Sequence, residues 1–276
     1  MKLKTLAIAV AVASMPFAAQ AEVAISGDVT VKYQDNGGKT FSEGGTEVTF
    51  KASEKVGGLT IGGQATANLN STGDTATADD VNIHFAGGFG KVTIGDTDNG
   101  CDTVDTGWVA SDVFISHSSG GCKGADVNNI TYTRSMGSAT VAASYSPDAA
   151  GGDDNFAVGI KGAMGPATVS LGYETGDGID ANDANIVLGV SGAFGPVSVG
   201  VRANKLGDAD ADVGYTANYS SGANTMYLGL GKVANNDTKF IGYTRAIGSK
   251  TIFVIEHVID DASANDNTVI GVKHSF

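Results

Sequence analysis

One rhythm runs through almost the whole chain and leaves few folds open to it. From residue 23 to 33, Val23, Ile25, Val29, Val31 and Tyr33 are apolar, while Ser26, Asp28, Thr30 and Lys32 stand between them. Successive side chains of a β-strand point to opposite faces, so such a segment has one apolar and one wet face. The division recurs over 47–52, 59–69, 81–85, 92–94, 130–132, 139–145, 156–160, 167–173, 186–190, 197–203, 213–219, 226–230, 239–244, 251–255 and 268–276. That makes sixteen strands, with fourteen as the alternative because the parity near Lys239 and Thr251 is ambiguous.

The connections alternate too. Short turns centred on glycine, such as Val56-Gly57-Gly58, Gly162-Ala163-Met164-Gly165-Pro166 and Gly192-Ala193-Phe194-Gly195-Pro196, supply the positive φ of tight hairpins. Between them lie longer acidic links, among them Gln34 to Gly45, Ser71 to Asp79, Thr175 to Asp183 and Asp260 to Asn267. The near-repeat of Gly-Ala-Met-Gly-Pro and Gly-Ala-Phe-Gly-Pro marks one hairpin as the unit. Short turns then gather on one rim and long links on the other. A soluble sandwich also alternates, but bulky residues fill its hidden face. Here that face carries Thr, Ser, Asn, Gln, Gly, Lys and Asp, so the apolar face is predicted to meet lipid and the polar face to line water. The predicted fold is all-β, a transmembrane antiparallel up-and-down barrel.

Residues 1–21 hold Lys2 and Lys4, an apolar run from Leu6 to Val12 and the ending Ala19-Gln20-Ala21, the pattern of a secretory signal peptide. Residues 22–276 are expected to form a single barrel domain. No later apolar run reaches the roughly 18 to 20 residues of a membrane-spanning helix. Of 17 basic and 30 acidic residues, the leader removes two lysines, leaving 15 against 30 and a net charge of −15. A chain so acidic has no nucleic-acid partner.

The longest piece without strand rhythm runs from Asp96 to Asn129 and holds the only tryptophan, Trp108, and the only cysteines, Cys101 and Cys122. A connection of this length is seldom idle. It is predicted to fold back into the barrel and narrow its bore. In an exported protein the two cysteines read as one disulfide.

The Ala-Gln-Ala cut followed at once by a strand, the run Gly87-Gly88-Phe89-Gly90-Lys91-Val92-Thr93-Ile94-Gly95, the longest loop after the fifth strand and a last strand ending in Phe276 together resemble the trimeric general porins of Gram-negative outer membranes. The resemblance covers the whole mature chain. It implies a water-filled channel in the cell outer membrane for passive diffusion of ions and small hydrophilic solutes, with segment 96–129 as the eyelet. It further implies a homotrimer in contact with outer-membrane lipid and lipopolysaccharide, and Phe276 as the signal read by the outer-membrane assembly machinery. The Pro-Glu-Phe-Gly-Gly signature of enteric eyelets is absent, and Asp96 follows Gly95 where relatives often carry arginine or asparagine. Small residues at Gly62, Gly63, Ala65 and Ala67 are expected to form a flat outer wall for a neighbouring barrel.

Selectivity in a channel follows from fixed charge at its narrowest part. The loop brings Asp96, Asp98, Asp102, Asp105, Asp112 and Asp126 against a single Lys123. Strand parity turns Lys32, Lys51, His84, Lys161, Arg202 and Lys273 inward, with Asp28, Glu47, Gln64, Asn68 and Glu174. Acids on the loop facing bases on the wall predict a transverse field and a preference for cations. The alternative is a structural or adhesive barrel that binds cations or surfaces through its acidic loops. Conductance distinguishes the two. No enzyme is expected: of His84, His117, His257 and His274 only His117 lies in a loop beside hydroxyls, and adjacent residues rarely form a triad. No cofactor or metal is expected. Ca2+ at acidic loops is the one ion the composition leaves open, and Asp208-Ala-Asp210-Ala-Asp212 lacks the glycine and glutamate of a calcium loop.

Overall fold

The computed structural model describes residues 22–69, 76–110, 113–115, 121–124, 128–147, 154–176, 184–233, 236–261 and 266–276. The expected leader, Asp112, His117 and Asp126 lie outside the described residues. The strands are β1 (Glu22–Asp35), β2 (Lys39–Val56), β3 (Leu59–Leu69), β4 (Ala76–Gly87), β5 (Gly90–Gly95), β6 (Asn129–Met136), β7 (Ala139–Ser146) and β8 (Asn155–Met164). They continue as β9 (Ala167–Thr175), β10 (Asn185–Phe194), β11 (Val197–Leu206), β12 (Asp212–Ser221), β13 (Asn224–Val233), β14 (Asn236–Ala246), β15 (Thr251–Asp260) and β16 (Asn267–Ser275). Each pairs antiparallel with its sequence neighbours, and β1 closes on β16 from Asp28 opposite Ser275 to Asp35 opposite Thr268. The result is a closed barrel of sixteen strands, which removes the fourteen-strand alternative. Closure leaves no unpaired edge, the condition for a sheet to stand in lipid.

The outward row is apolar and unpartnered. On β10 it is Ile186, Leu188 and Val190, all exposed, while Asn185 and Val187 on the opposite face are buried. The seven glycine turns expected from the sequence lie on one rim, after β2, β4, β6, β8, β10, β12 and β14. In the near-repeat turns, Gly165 and Gly195 have φ of +62° and +60°, a left-handed conformation that a Cβ disfavours.

Three readings of the sequence change. The expected long link from Gln34 to Gly45 is mostly strand: Asp35 pairs with Lys39, and only 36–38 connect β1 to β2. Gly37 at φ +91° makes the short turn possible, and the cross-strand neighbours Tyr33 and Phe41 extend the ladder beyond it. Likewise β13 and β14 are joined by 234–235 alone. Gly62, read as part of the flat outer wall, faces inward, because a Cβ there would lie 2.6 Å from the His84 ring; period two places Gly63, Ala65 and Ala67 outside.

The third change concerns the wet face. Tyr227, Phe240, Val254, Val258 and Val269 point inward by register yet are almost fully buried. They lie on β13 to β16, which include the strands near Lys239 and Thr251 whose sequence parity is ambiguous. An apolar residue on an inner wall loses water only if something covers it, and Trp108, Ala110 and Ile115 pack there from segment 96–128. Part of the barrel's hydrophobic core is therefore inside the bore.

Candidate functional site

Segment 96–128 follows the inner wall strand by strand. Its root is fixed by Asp96 N donating to Val81 O at 2.9 Å, Asn82 Nδ2 to Asp96 O at 2.8 Å, and Asn129 Nδ2 to Thr97 O at 2.8 Å. Asn99 then nucleates a single 3-10 turn, Asp102–Val104: its Oδ1 accepts from Cys101 N at 2.8 Å and Asp102 N at 3.1 Å. Gly100 N donates to Ser144 Oγ on β7 at 2.8 Å, and Lys161 Nζ on β8 donates to Thr103 O at 3.0 Å. Thr106 meets Ser191 on β10 at 2.8 Å, and Val109 N donates to Thr216 Oγ1 on β12 at 3.0 Å.

Close approach of loop to wall requires an inner face without side chains at the right places. Gly172 faces Cys101 Sγ and Gly159 faces Val104, each so closely that a Cβ would overlap the loop. Gly229 lies under the Trp108 ring, and a Cβ on Gly271 would meet the Phe114 ring at 2.7 Å. A chain of inward glycines thus forms the bed on which the segment lies.

Two buried wall carboxylates hold it down. Glu256 on β15, with no exposed surface, accepts from the backbone N–H groups of Val113 at 2.6 Å, Phe114 at 2.8 Å and Ile115 at 2.9 Å, and from the Tyr227 hydroxyl at 2.7 Å. Glu174 on β9, 1% exposed, accepts from Lys123 N, from Gly124 N at 2.9 Å and from Asn185 Nδ2 at 2.6 Å. A buried carboxylate without a counter-charge is tolerated only when its lone pairs are filled in this way. Arg202 on β11 supplies the one buried ion pair among the described residues: Nη1 lies 2.6 Å from Asp105 Oδ2, with side-chain exposures of 7% and 11%, and its guanidinium stacks 5.2 Å from the Trp108 ring centre. Cys101 and Cys122 are disulfide-bonded, joining the outgoing and returning limbs, and Asn99 Nδ2 ties the same limbs through Gly124 O at 3.1 Å. The sulfurs lie near Glu174 but, being bonded to each other, offer no thiolate to a metal.

Register places Lys32, Lys51, His84, Lys161, Arg202 and Lys273 on the inner face. Arg202 and Lys161 are engaged by the segment, and Lys273 pairs with Asp28 at 2.9 Å. Lys32, Lys51 and His84 stand on β1, β2 and β4, on the side the segment leaves open. On the segment itself, Asp105 is sequestered by Arg202 and Asp102 accepts from Asn99 Nδ2 at 2.8 Å. Asp98 is exposed. Asp96 stays at the rim, where burial, and then the charges of Asp79 and Asp80, push its carboxyl above the usual aspartate value. Phe276 is half exposed on the outer side and closes β1 through Phe276 N to Gly27 O at 2.9 Å.

Glu256 and Tyr227 escaped the sequence reading. The available signal was Glu256 itself, a lone acid directly after the apolar run Ile252-Phe253-Val254-Ile255, which demands partners if buried. The glycine bed was invisible because glycine fits either face of a strand.

A sequence model of Gram-negative porins matches residues 5–275. Comparison with curated proteins gives no match. Among solved structures, a five-substitution mutant of Rh. blastica porin superimposes with a TM-score of 0.77 at 15% identity, covering 93% of this chain and 100% of that one. OmpT of Vibrio cholerae in its trimer form gives 0.74 at 15% identity, covering 93% and 100%. A loop-deletion mutant of the same OmpT gives 0.73 at 15%, again covering 93% and 100%. At such identities these structures speak for the fold, and the family match over nearly the full length speaks for the rest: the chain belongs to the Gram-negative porins, channels of the outer membrane through which solutes diffuse.

Proposed function

We propose that the chain forms a homotrimeric porin in which segment 96–128 confines ions and small hydrophilic solutes to a slot against β1–β6, with a preference for cations. One observation carries this reading: beyond its root on β4 and β6 the segment is held to β7–β15 by Glu174, Glu256 and Arg202, and Lys32, Lys51 and His84 on the facing wall make no contact with its described residues. Cation preference rests on the acids around the slot's entrance, Asp79, Asp80, Asp96 and Asp98, which have no ion pair among the described residues. Charges lining a narrow passage between low-dielectric walls concentrate counter-ions. The trimer rests on the small outward side chains of Gly63, Ala65 and Ala67 on β3 and on the trimer form of the matched OmpT.

A salt gradient across a planar bilayer tests the reading. The expected reversal potential has the cation-selective sign and shrinks in the D79N/D80N/D96N variant. An anion-selective potential that this variant leaves unchanged overturns the preference, and an absence of conductance overturns the channel.

A further inference from the structure

The open wall is not electrically uniform along its length. β1, β3 and β5 run from the short-turn rim to the long-link rim, β2 and β4 run back, and their register orders the inward side chains between the two rims. Towards the short turns, Lys51, Lys55 and Lys91 face inward; Glu22 is the one inward acid at that level among the described residues of β1–β5. Towards the long links the sign reverses. Asp79, Asp80 and Asp96 cluster towards that rim with Asp98 beyond them, and Glu47 stands in a neighbouring row nearer the long links, opposed on this wall by Lys32. Asp28, directly opposite Glu47, and Lys273 neutralise each other within the acidic zone. On the covered wall, the Asp105–Arg202 pair is neutral, and Glu174 and Glu256 lie buried under the segment.

We infer that this axial separation of charge makes the channel rectify, passing more current when the extracellular side is positive. The inference rests on the porin reading and takes the long-link rim as extracellular. The acidic half holds excess cations and the basic half excess anions, because each fixed charge is screened by its counter-ion. With the outside positive, cations move inward through the cation-rich half and anions move outward through the anion-rich half. Both accumulate where the halves meet, and conductance rises. Reversed polarity draws both away from that junction, and each must be resupplied through the half that excludes it. The effect depends on fields reaching across the bore, so it belongs to dilute salt: the screening length is about 10 Å at 0.1 M and about 3 Å at 1 M.

The experiment is the current–voltage curve of single channels in symmetric KCl, with the extracellular side identified by one-sided proteolysis of the long links. The expected ratio of forward to reverse current is roughly twofold at 0.1 M and falls to unity at 1 M, following the screening length. K51Q/K91Q and D79N/D80N are each expected to bring the ratio at 0.1 M towards unity. All four side chains are exposed, and the ratio is read within one channel, so a change in overall conductance does not disturb it. A linear curve for the unaltered chain at 0.1 M, the opposite polarity, or a ratio that neither variant moves overturns the inference while leaving the channel standing. Absence of any current removes both.

Discussion

Glu256 concentrates at one residue what holds the constriction in place. Its carboxylate fills its acceptor sites with three consecutive backbone N–H groups and one tyrosine hydroxyl. In E256Q one acceptor oxygen becomes a donor aimed at other donors, an unsatisfied contact of about 1–3 kcal/mol. The barrel should still close while the tip at 113–115 loosens, read as faster proteolysis there and noisier single-channel current. Arg202 makes a harder prediction. R202M strands Asp105 with little water, a loss of about 3–5 kcal/mol for a broken buried pair, and D105N added to it should recover much of that loss in a double-mutant cycle of thermal unfolding. Asp96 titrates above an ordinary aspartate because burial, and then Asp79 and Asp80, disfavour its charge. A raised carboxyl value means that its contribution to stability is present at low pH and lost as pH rises through that value, since ionisation then brings in the repulsion. On acidification from neutrality Asp96 should be among the first rim acids to lose its charge. The cation-selective reversal potential should begin to fall above the usual aspartate range, and D96N should lack that early part of the fall.

At the scale of the element, the described residues of segment 96–128 hold one 3-10 turn and otherwise take their shape from a wall. Its Cys101–Cys122 bond spans a sequence separation of 21 and contributes about 3 kcal/mol by restricting the unfolded loop. The C101S/C122S variant should keep the barrel, lower the temperature at which the loop becomes protease-sensitive, and broaden the conductance distribution. The wall's side of the fit is tested by G172A. The added methyl meets Cys101 Sγ, which the disulfide prevents from moving aside, so overpacking of about 1–3 kcal/mol should lift the segment into the slot and lower conductance. An unchanged conductance in G172A would show that the loop does not rest on the wall. The loop's existence and its cysteine pair were legible because they interrupt the rhythm. Its path was not: the Glu256 and Glu174 contacts join residues 141–143 and 50–51 positions apart, and no local pattern records such distances.

For the whole molecule, barrel closure turns a local alternation into an inside and an outside. An outward row as apolar as Ile186, Leu188 and Val190 is stable only against lipid or another barrel, which makes oligomeric state measurable in mild detergent. A trimer is expected by light scattering of unheated protein, with A65E on the outer face of β3 shifting it towards single barrels. The same closure also explains the ambiguous parity near Lys239 and Thr251, on β14 and β15. Tyr227, Phe240 and Val258 are inside, but under the loop they meet no water, so their sequence carries two apolar faces, as in a strand buried on both sides.

The sequence by itself determined the alternating strands, their number to within fourteen or sixteen, and the acidic long links, because period two, glycine turns and acidic links are written within a few residues of one another, while closure of the barrel settled sixteen. Tertiary structure alone decided which charges remain free. Asp105 and Arg202 are both charged and both inward, yet the fold presses them together and removes them from the bore, while Lys51, Lys91, Asp79 and Asp80 stay open on the wall that the segment does not cover. Charge identity belongs to a residue, but exposure to the bore depends on the packing of segment 96–128 against strands far from it in sequence.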